Sequence, residues 1–344
     1  MKFLKSNEIF VIAEIGVNHN GNHDLAILMT ELAIKSGANA VKHQLFDPNY
    51  LVSENAPMAD YQSRNTKRKI SQREMLSELT ISLETLRDCK KICDKNNVLF
   101  LCTAFDSPSL KSLIELGVEC LKWPSGEITN IPFLKEASSY DKPIILSTGM
   151  ANEEEVDEAI NTMISNGMSK KDIIILHCTS QYPAPDQSSN IASIPFMRER
   201  FDLQVGFSDH TLGSKVAEYA VSAGARVFEK HITLSKSMHG PDQKASMNIE
   251  EFSKYISDLN NALKIYGKFE KKCSSVELST KDIARKSIHT LKKGKKGDFL
   301  KEENLIIQRP GDGIEPKYLK EVMKKRLKRT IPEGAKLLWD YFEE

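Results

Sequence analysis

At 344 residues with 40% hydrophobic and 28% charged side chains, the chain is long and apolar enough for a packed core, which excludes a disordered, collagen-like or coiled-coil protein. No apolar run reaches the ~18 residues a membrane span needs, and MKFLKSNEIFVIAEIG turns polar before a signal-peptide core forms, so a soluble cytoplasmic protein without a membrane partner is expected. The net charge of +1 hides an asymmetry: residues 284–344 hold 16 Lys/Arg against 10 Asp/Glu, a basic tail on an acidic body that suits nucleic acid, an anionic surface or an anionic ligand.

Along the chain, short apolar runs alternate with helical patterns. A run at 9–17 precedes a helix near 24–35, and a second run lies at 40–46. The polar stretch 47–80 reads as an inserted loop. A helix at 83–96 leads to a run at 98–105, helix 107–116 to 120–125, and helix 130–139 to 143–149. Helix 153–166 leads to 173–179, a loop with a short helix to 204–210, and helix 214–223 to 226–233. The pattern closes with a helix at 250–266 whose predicted apolar face is Phe252, Ile256, Leu259 and Leu263.

Eight strands, each followed by a helix and each nearly continuously apolar, predict an α/β fold with a parallel sheet covered on both faces. About 250 residues is the usual size of a (β/α)8 TIM barrel. A doubly wound open sheet would need a glycine fingerprint for phosphate after an early strand, and EIGVNHNG has a different shape. The alternation stops after Gly267. We expect a barrel domain over 1–267, a linker over 268–282 and a small turn-rich β domain over 283–344, punctuated by KKGKKGD, RPGDG and PEG. The cysteines, Cys89, Cys93, Cys102, Cys120, Cys178 and Cys273, form no CxxC pair, so buried free thiols are expected in place of disulfides or a zinc set.

A barrel carries its chemistry at the C-terminal ends of its strands. Here each strand delivers polar groups to that face: Glu14, Asn18 and His19; Lys42 and Gln44; Thr103; Lys122, Ser125 and Glu127; Ser147; His177, Ser180 and Tyr182; Ser208 and His210; Glu229 and His231. A cap or a satisfied core group explains any one of them, but explains eight together poorly. His210 and His231 end neighbouring strands and can converge on a divalent ion such as Mn2+, Zn2+ or Co2+, leaving coordination positions open for substrate and water. Lys42, Lys122, Ser125, Ser147 and Ser208 suit a small phosphorylated anion. Alternatively the two lysines pair with Glu14, Glu127 or Glu229. A lysine Schiff base ranks lower, because such a lysine needs apolar surroundings.

Taken in order, AEIGVNHNG, AVKHQ, KWPSGEITNIPFL, PIILSTGMA, LHCTSQYPAP, VGFSDHT, FEKHITL, HGPDQKASM and QRPGDG resemble the sialic acid synthase family over nearly the whole chain. The ending KRTIPEGAKLLWDYF is similar to the antifreeze-like domain of that family. The resemblance implies a TIM barrel followed by a β-clip (antifreeze-like) domain, in a homodimer that swaps the C-terminal domain. It implies condensation of phosphoenolpyruvate with N-acetylmannosamine and water to N-acetylneuraminate and phosphate, with cleavage of the C–O bond and a divalent metal, Mn2+ or Mg2+ (Co2+ as a further option).

Residue by residue, the resemblance gives His210 and His231 to the metal. It gives Lys42, Thr103, Lys122, Ser125, Ser147, Ser180 and Ser208 to phosphoenolpyruvate, and Gln44, Tyr182, Asp242 and Arg309 to the sugar, Arg309 reaching over from the partner chain. Glu14 and Glu127 become the candidates for proton handling. At Ser180 the family often has Asn or Thr. Asn65 stands for a family residue within 47–80 that the motifs do not fix. A legionaminate or pseudaminate synthase taking a diacetamido-trideoxy hexose is the alternative, followed by other phosphoenolpyruvate–aldose synthases and a non-catalytic binding protein. The KKRLKR cluster has no task in this scheme and reads as a solvated face or a pairing with the acidic barrel, so no nucleic-acid partner is expected.

Overall fold

The computed structural model describes residues 8–343, and the chain divides into two compact units, Met1–Gly267 and Lys268–Glu344. The first unit is a (β/α)8 barrel. Its strands are β1 (Phe10–Gly16), β2 (Ala40–Leu45), β3 (Leu99–Ala104), β4 (Leu121–Trp123), β5 (Ile144–Ser147), β6 (Ile173–Cys178), β7 (Gln204–Asp209) and β8 (Val227–His231). They pair in parallel in the order β3-β2-β1-β8-β7-β6-β5-β4, and β3 and β4 lie side by side to close the ring.

Two apolar layers hold the barrel. Side chains pointing outward from the strands, such as Val11, Ala13, Val41, Phe100, Phe207 and Phe228, pack under the helices. Those pointing inward, including Ile12, Ala40, Leu101, Cys120, Ile145, Leu176 and Val227, fill the barrel floor. Gly206 is required on the inner side of β7, because a Cβ there would stand 2.3 Å from the Val227 carbonyl oxygen and 2.6 Å from Leu176.

Helix ends follow local chemistry. Asn152 and Asn248 each accept from the N3 backbone N–H while Glu155 and Glu251 return the bond, forming capping boxes for Glu153–Ser165 and Ile249–Tyr266. The last helix buries Phe252, Tyr255, Leu259 and Ala262. Its buried stripe is therefore rotated from the predicted one, with Ile256 and Leu263 at the edge.

The stretch 47–80 is not a bare loop. It contains the short helices Pro48–Leu51, Asp60–Thr66 and Gln72–Ser77, because Met58, Met75, Leu76 and Leu79 form a satellite core with Val17 and Phe46. All six cysteines are free as expected, but Cys273 is exposed.

The second unit carries the short helix Leu278–Ala284 and an antiparallel pair, β9 (Ser287–Thr290) and β10 (Leu305–Gln308). Its core is Ile288, Leu300, Ile314, Val322, Leu327, Ile331, Leu337 and Phe342. Most of it is turn and isolated bridge, as its Gly and Pro punctuation predicts.

Candidate active site

The two-residue period of a strand builds the site directly on the apolar floor. Two residues beyond Ile12, Ala40, Leu101, Cys120, Ile145 and Val227 stand Glu14, Lys42, Thr103, Lys122, Ser147 and Glu229. All six are buried. Burial at this depth demands partners. The Lys42 ammonium lies 3.3 Å from Glu14 and 3.3 Å from Glu229. Lys122 lies 3.7 Å from Glu229 and donates to Ser147 Oγ at 2.7 Å. Ser208 donates to Glu229 Oε1 at 3.1 Å, and Gln44 Nε2 to Glu14 Oε1 at 3.0 Å. The lysines are thus held by Glu14 and Glu229 while hydroxyls surround them.

The charges in this ring are matched two against two. Burial pushes the Glu14 carboxyl up to about 7, against the pull of Lys42. Burial also opposes charge on Glu229, but the Lys122 and Lys42 ammoniums outweigh it and hold that carboxyl near about 2. Burial lowers Lys122 to about 8, with Glu229 resisting. At Lys42 burial is overcome by Glu14 and Glu229, so its affinity for a proton rises.

Beside this ring lies a cradle of hydroxyls around a glycine. The Gly149 N–H donates to Ser125 Oγ at 2.9 Å. A Cβ on Gly149 would stand 2.2 Å from Ser180 Oγ and 2.9 Å from Ser125 Oγ, so any side chain would fill the cradle. The two hydroxyls line the same cavity as the two ammoniums, and together they suit an anion.

The imidazoles stand above. His210 Nδ1 is 2.8 Å from the Thr179 carbonyl oxygen, a contact that keeps a proton on Nδ1 and makes Nε2 the atom able to hold a metal. Burial, His210 and Lys42 push His231 well below the ordinary histidine range, so its ring is neutral. The His231 Nδ1 atom is buried without a hydrogen-bond partner, and the two rings are 5.6 Å apart between centroids. Buried Asp242 Oδ1 likewise lacks a partner. At His210 burial is overcome by Cys178 and the Thr179 carbonyl, so its affinity for a proton rises. Two adjacent imidazoles suit a divalent ion, which would take the place of that proton. Among the described residues no three His, Cys, Asp or Glu groups are placed to hold one. Tyr182 packs against both rings, at 4.1 Å from His210 and 5.5 Å from His231, and Tyr61 stacks on Tyr182 at 5.1 Å.

One cavity of about 440 Å3 joins these groups: Glu14, Lys42, Gln44, Thr103, Lys122, Ser125, Ser147, Ser180, Tyr182, Ser208, His210, His231 and Asp242 all line it. Glu127 does not. Its carboxylate accepts from Asn130 at 2.7 Å and its carbonyl from Trp123 Nε1 at 3.1 Å, which gives it a local task at the end of β4. Arg309 belongs to the second unit, where its Nε donates to the Ala284 carbonyl at 2.9 Å. Asn65 donates to the Pro241 carbonyl at 2.6 Å and so ties the 47–80 segment to the GPD loop.

Residues missed by sequence reasoning also line the cavity. They are Tyr61 and Gln62, together with Leu51, Val52, Met75, Leu76 and Leu79. The i, i+1, i+4 spacing of Met75, Leu76 and Leu79 was the available helical signal; Tyr61 had none.

Residues 29–271 match the NeuB family. The chain is 41% identical over 337 residues to an N,N'-diacetyllegionaminic acid synthase of Legionella pneumophila, covering 97% of this chain and 94% of that one. It is 42% identical over 323 residues to a protein of the same name from Campylobacter jejuni, covering 94% and 97%. The crystal structure of an N-acetylneuraminic acid synthetase from Leptospira borgpetersenii, in complex with citrate, superposes with a TM-score of 0.71 at 29% identity, over 80% of this chain and 90% of that one. The chain therefore belongs to the NeuB family of condensing enzymes.

Proposed function

We propose that the protein condenses phosphoenolpyruvate with the open-chain aldehyde of a diacetamido-trideoxy hexose to give a legionaminate-type nonulosonate and phosphate. The single observation that supports the condensation is the ring of two ammoniums and several hydroxyls that shares one cavity with the His210 and His231 imidazoles. The choice of legionaminate over sialate leans on the two relatives above 40% identity, both named for diacetyllegionaminic acid.

In this reading Lys42, Thr103, Lys122, Ser125, Ser147, Ser180 and Ser208 bind phosphoenolpyruvate. Gln44, Tyr182 and Asp242 orient the acceptor. Arg309 reaches the acceptor's N-acyl group from a second copy in a domain-swapped homodimer. A divalent cation at His210 and His231, Mn2+ or Mg2+ with Co2+ as an option, would supply polarisation of the aldehyde carbonyl. With the carbonyl carbon positioned, C3 of phosphoenolpyruvate attacks it, the new C–C bond forms and the C=O π pair moves onto the aldehyde oxygen. Water adds at C2 and gives one proton to Glu14, whose carboxyl titrates near about 7 and which returns it to the former aldehyde oxygen as a hydroxyl. The C–O bond to phosphate then breaks as the C2 hydroxyl gives its proton to the departing phosphate, leaving a ketone at C2, and phosphate leaves with the bridging oxygen.

The test incubates the protein, Mn2+ and phosphoenolpyruvate with the diacetamido-trideoxy hexose or with N-acetylmannosamine, and follows phosphate release. Release with the first acceptor is expected, and 18O at the bridging position should appear in phosphate. No release with either acceptor would refute the synthase reading. Mixing His231→Ala chains with Arg309→Ala chains tests the swap: each mixed dimer should hold one intact site and regain activity.

A further inference from the structure

The cavity has two chemically different walls. The strand ends are charged and hydroxyl-rich. The opposite wall is apolar and comes from the end of β2 and the 47–80 segment: Phe46, Leu51, Val52, Met75, Leu76 and Leu79. Position along β2 fixes their order. Lys42, Gln44 and Phe46 are two residues apart and all line the cavity, so the charged floor grades outward through an amide into the apolar wall. A small anion on the lysines leaves the apolar wall to the acceptor.

This wall is held in place. Arg73 donates twice to the Val52 carbonyl, at 3.2 and 2.8 Å. The Gln72 N–H reaches the Ala56 carbonyl at 2.8 Å, and the Asp47 N–H reaches Asp106 at 2.9 Å. Gln62, which also lines the cavity, is committed locally: its amide oxygen accepts from the Ala59 N–H at 3.0 Å and its side chain hydrogen-bonds Tyr61. A surface of methyl and methylene groups matches the methyls of N-acyl groups and a deoxygenated carbon. It offers nothing to a hydroxyl that must leave water.

We infer that the apolar wall formed by Phe46 and the 47–80 segment is the specificity surface of the enzyme, selecting an acceptor with methyl groups where a common hexosamine has hydroxyls. Leu51 and Val52 are its adjustable residues, being only half-buried. The inference rests on the synthase reading above and adds to it which residues choose the acceptor.

The experiment compares kcat/KM for the diacetamido-trideoxy hexose and for N-acetylmannosamine by phosphate release, in the wild type, Leu51→Asn, Leu51→Met and Val52→Thr. A methyl-sized difference in an apolar pocket discriminates roughly 10- to 200-fold, so the wild type should favour the deoxygenated acceptor by at least about 10-fold. Leu51→Asn and the near-isosteric Val52→Thr should each narrow that ratio by about 5-fold or more, through the acceptor's KM. Leu51→Met should retain it. A wild-type ratio within about 2-fold of unity, or variants that weaken both acceptors equally, would overturn the inference while leaving the synthase intact. Absence of release with both acceptors would instead remove the synthase reading, and the inference with it. Val52→Thr keeps the comparison informative if Leu51→Asn does not fold, because it changes polarity with little change of shape.

Discussion

Gly149→Ala isolates the hydroxyl cradle without touching a charge. The new Cβ would stand 2.2 Å from Ser180 Oγ, where ordinary contact begins near 3.4 Å, so the hydroxyl must move by more than 1 Å. Ser180 Oγ ends a short rotatable side chain and can swing away, so the fold should survive with little loss. The displaced hydroxyl no longer faces the anion. A hydrogen bond to a charged group is worth ~1.5–3 kcal/mol, which corresponds to a roughly 10- to 100-fold rise in KM for phosphoenolpyruvate. Ser180→Ala should cause a similar rise by deletion. The double variant should lose less than the two single variants summed, because Ser180 Oγ is already gone and only the 2.9 Å approach of the Cβ to Ser125 Oγ remains. The assay is steady-state phosphate release with phosphoenolpyruvate varied, alongside thermal melts. An unchanged KM in Gly149→Ala, or additive losses in the double variant, would refute the assignment of Ser180 to the anion.

Other perturbations address the charges and the barrel. Glu14, raised from the ordinary 4.5 to about 7, favours the folded state fully below pH 4.5, and that contribution is lost as pH rises through about 7. Relative to Glu14→Gln, the wild type should lose on the order of 3 kcal/mol across this window in urea titrations; parallel curves would contradict the burial argument. His231→Ala should reduce phosphate release to background in Mn2+-replete buffer while the melting temperature holds, and chelation of the wild type should have the same effect, reversed by added cation. Near-normal turnover of the variant would remove the metal assignment. Gly206→Ala should cost about 3 kcal/mol of stability, because its Cβ meets the Val227 carbonyl, which cannot rotate away.

The barrel was legible because each strand is a short apolar run between helix caps, and the polar residue ending each run was visible as a break in that run. Glu14, Lys42, Lys122 and Ser147 are such breaks, and the structure gathers them because the barrel closes. The mutual arrangement was legible only as a choice, the lysines pairing with Glu14, Glu127 or Glu229, and the structure gives Glu14 and Glu229. That Glu229 holds both lysines depends on the stagger between β8 and its neighbours, which no spacing along the chain encodes. Glu127 shares the turn Ser125–Glu127 with Ser125, two residues further from β4, and that turn sends its carboxylate to Asn130. The 47–80 segment failed as a loop because its apolar residues are sparse. Single turns of helix stabilised by tertiary packing leave too little periodicity to read.

The balanced ring of Glu14, Lys42, Lys122 and Glu229 has a consequence for how the ligand arrives. An anion entering a cluster with no net charge makes it negative unless a proton follows. Glu14, titrating near about 7, is the group able to accept one, and Lys122, near about 8, is able to keep its own. Binding should therefore draw a proton from solution at neutral pH. The heat measured on mixing would then vary with the ionisation enthalpy of the buffer, and the substrate anion would be held less firmly as the medium turns alkaline.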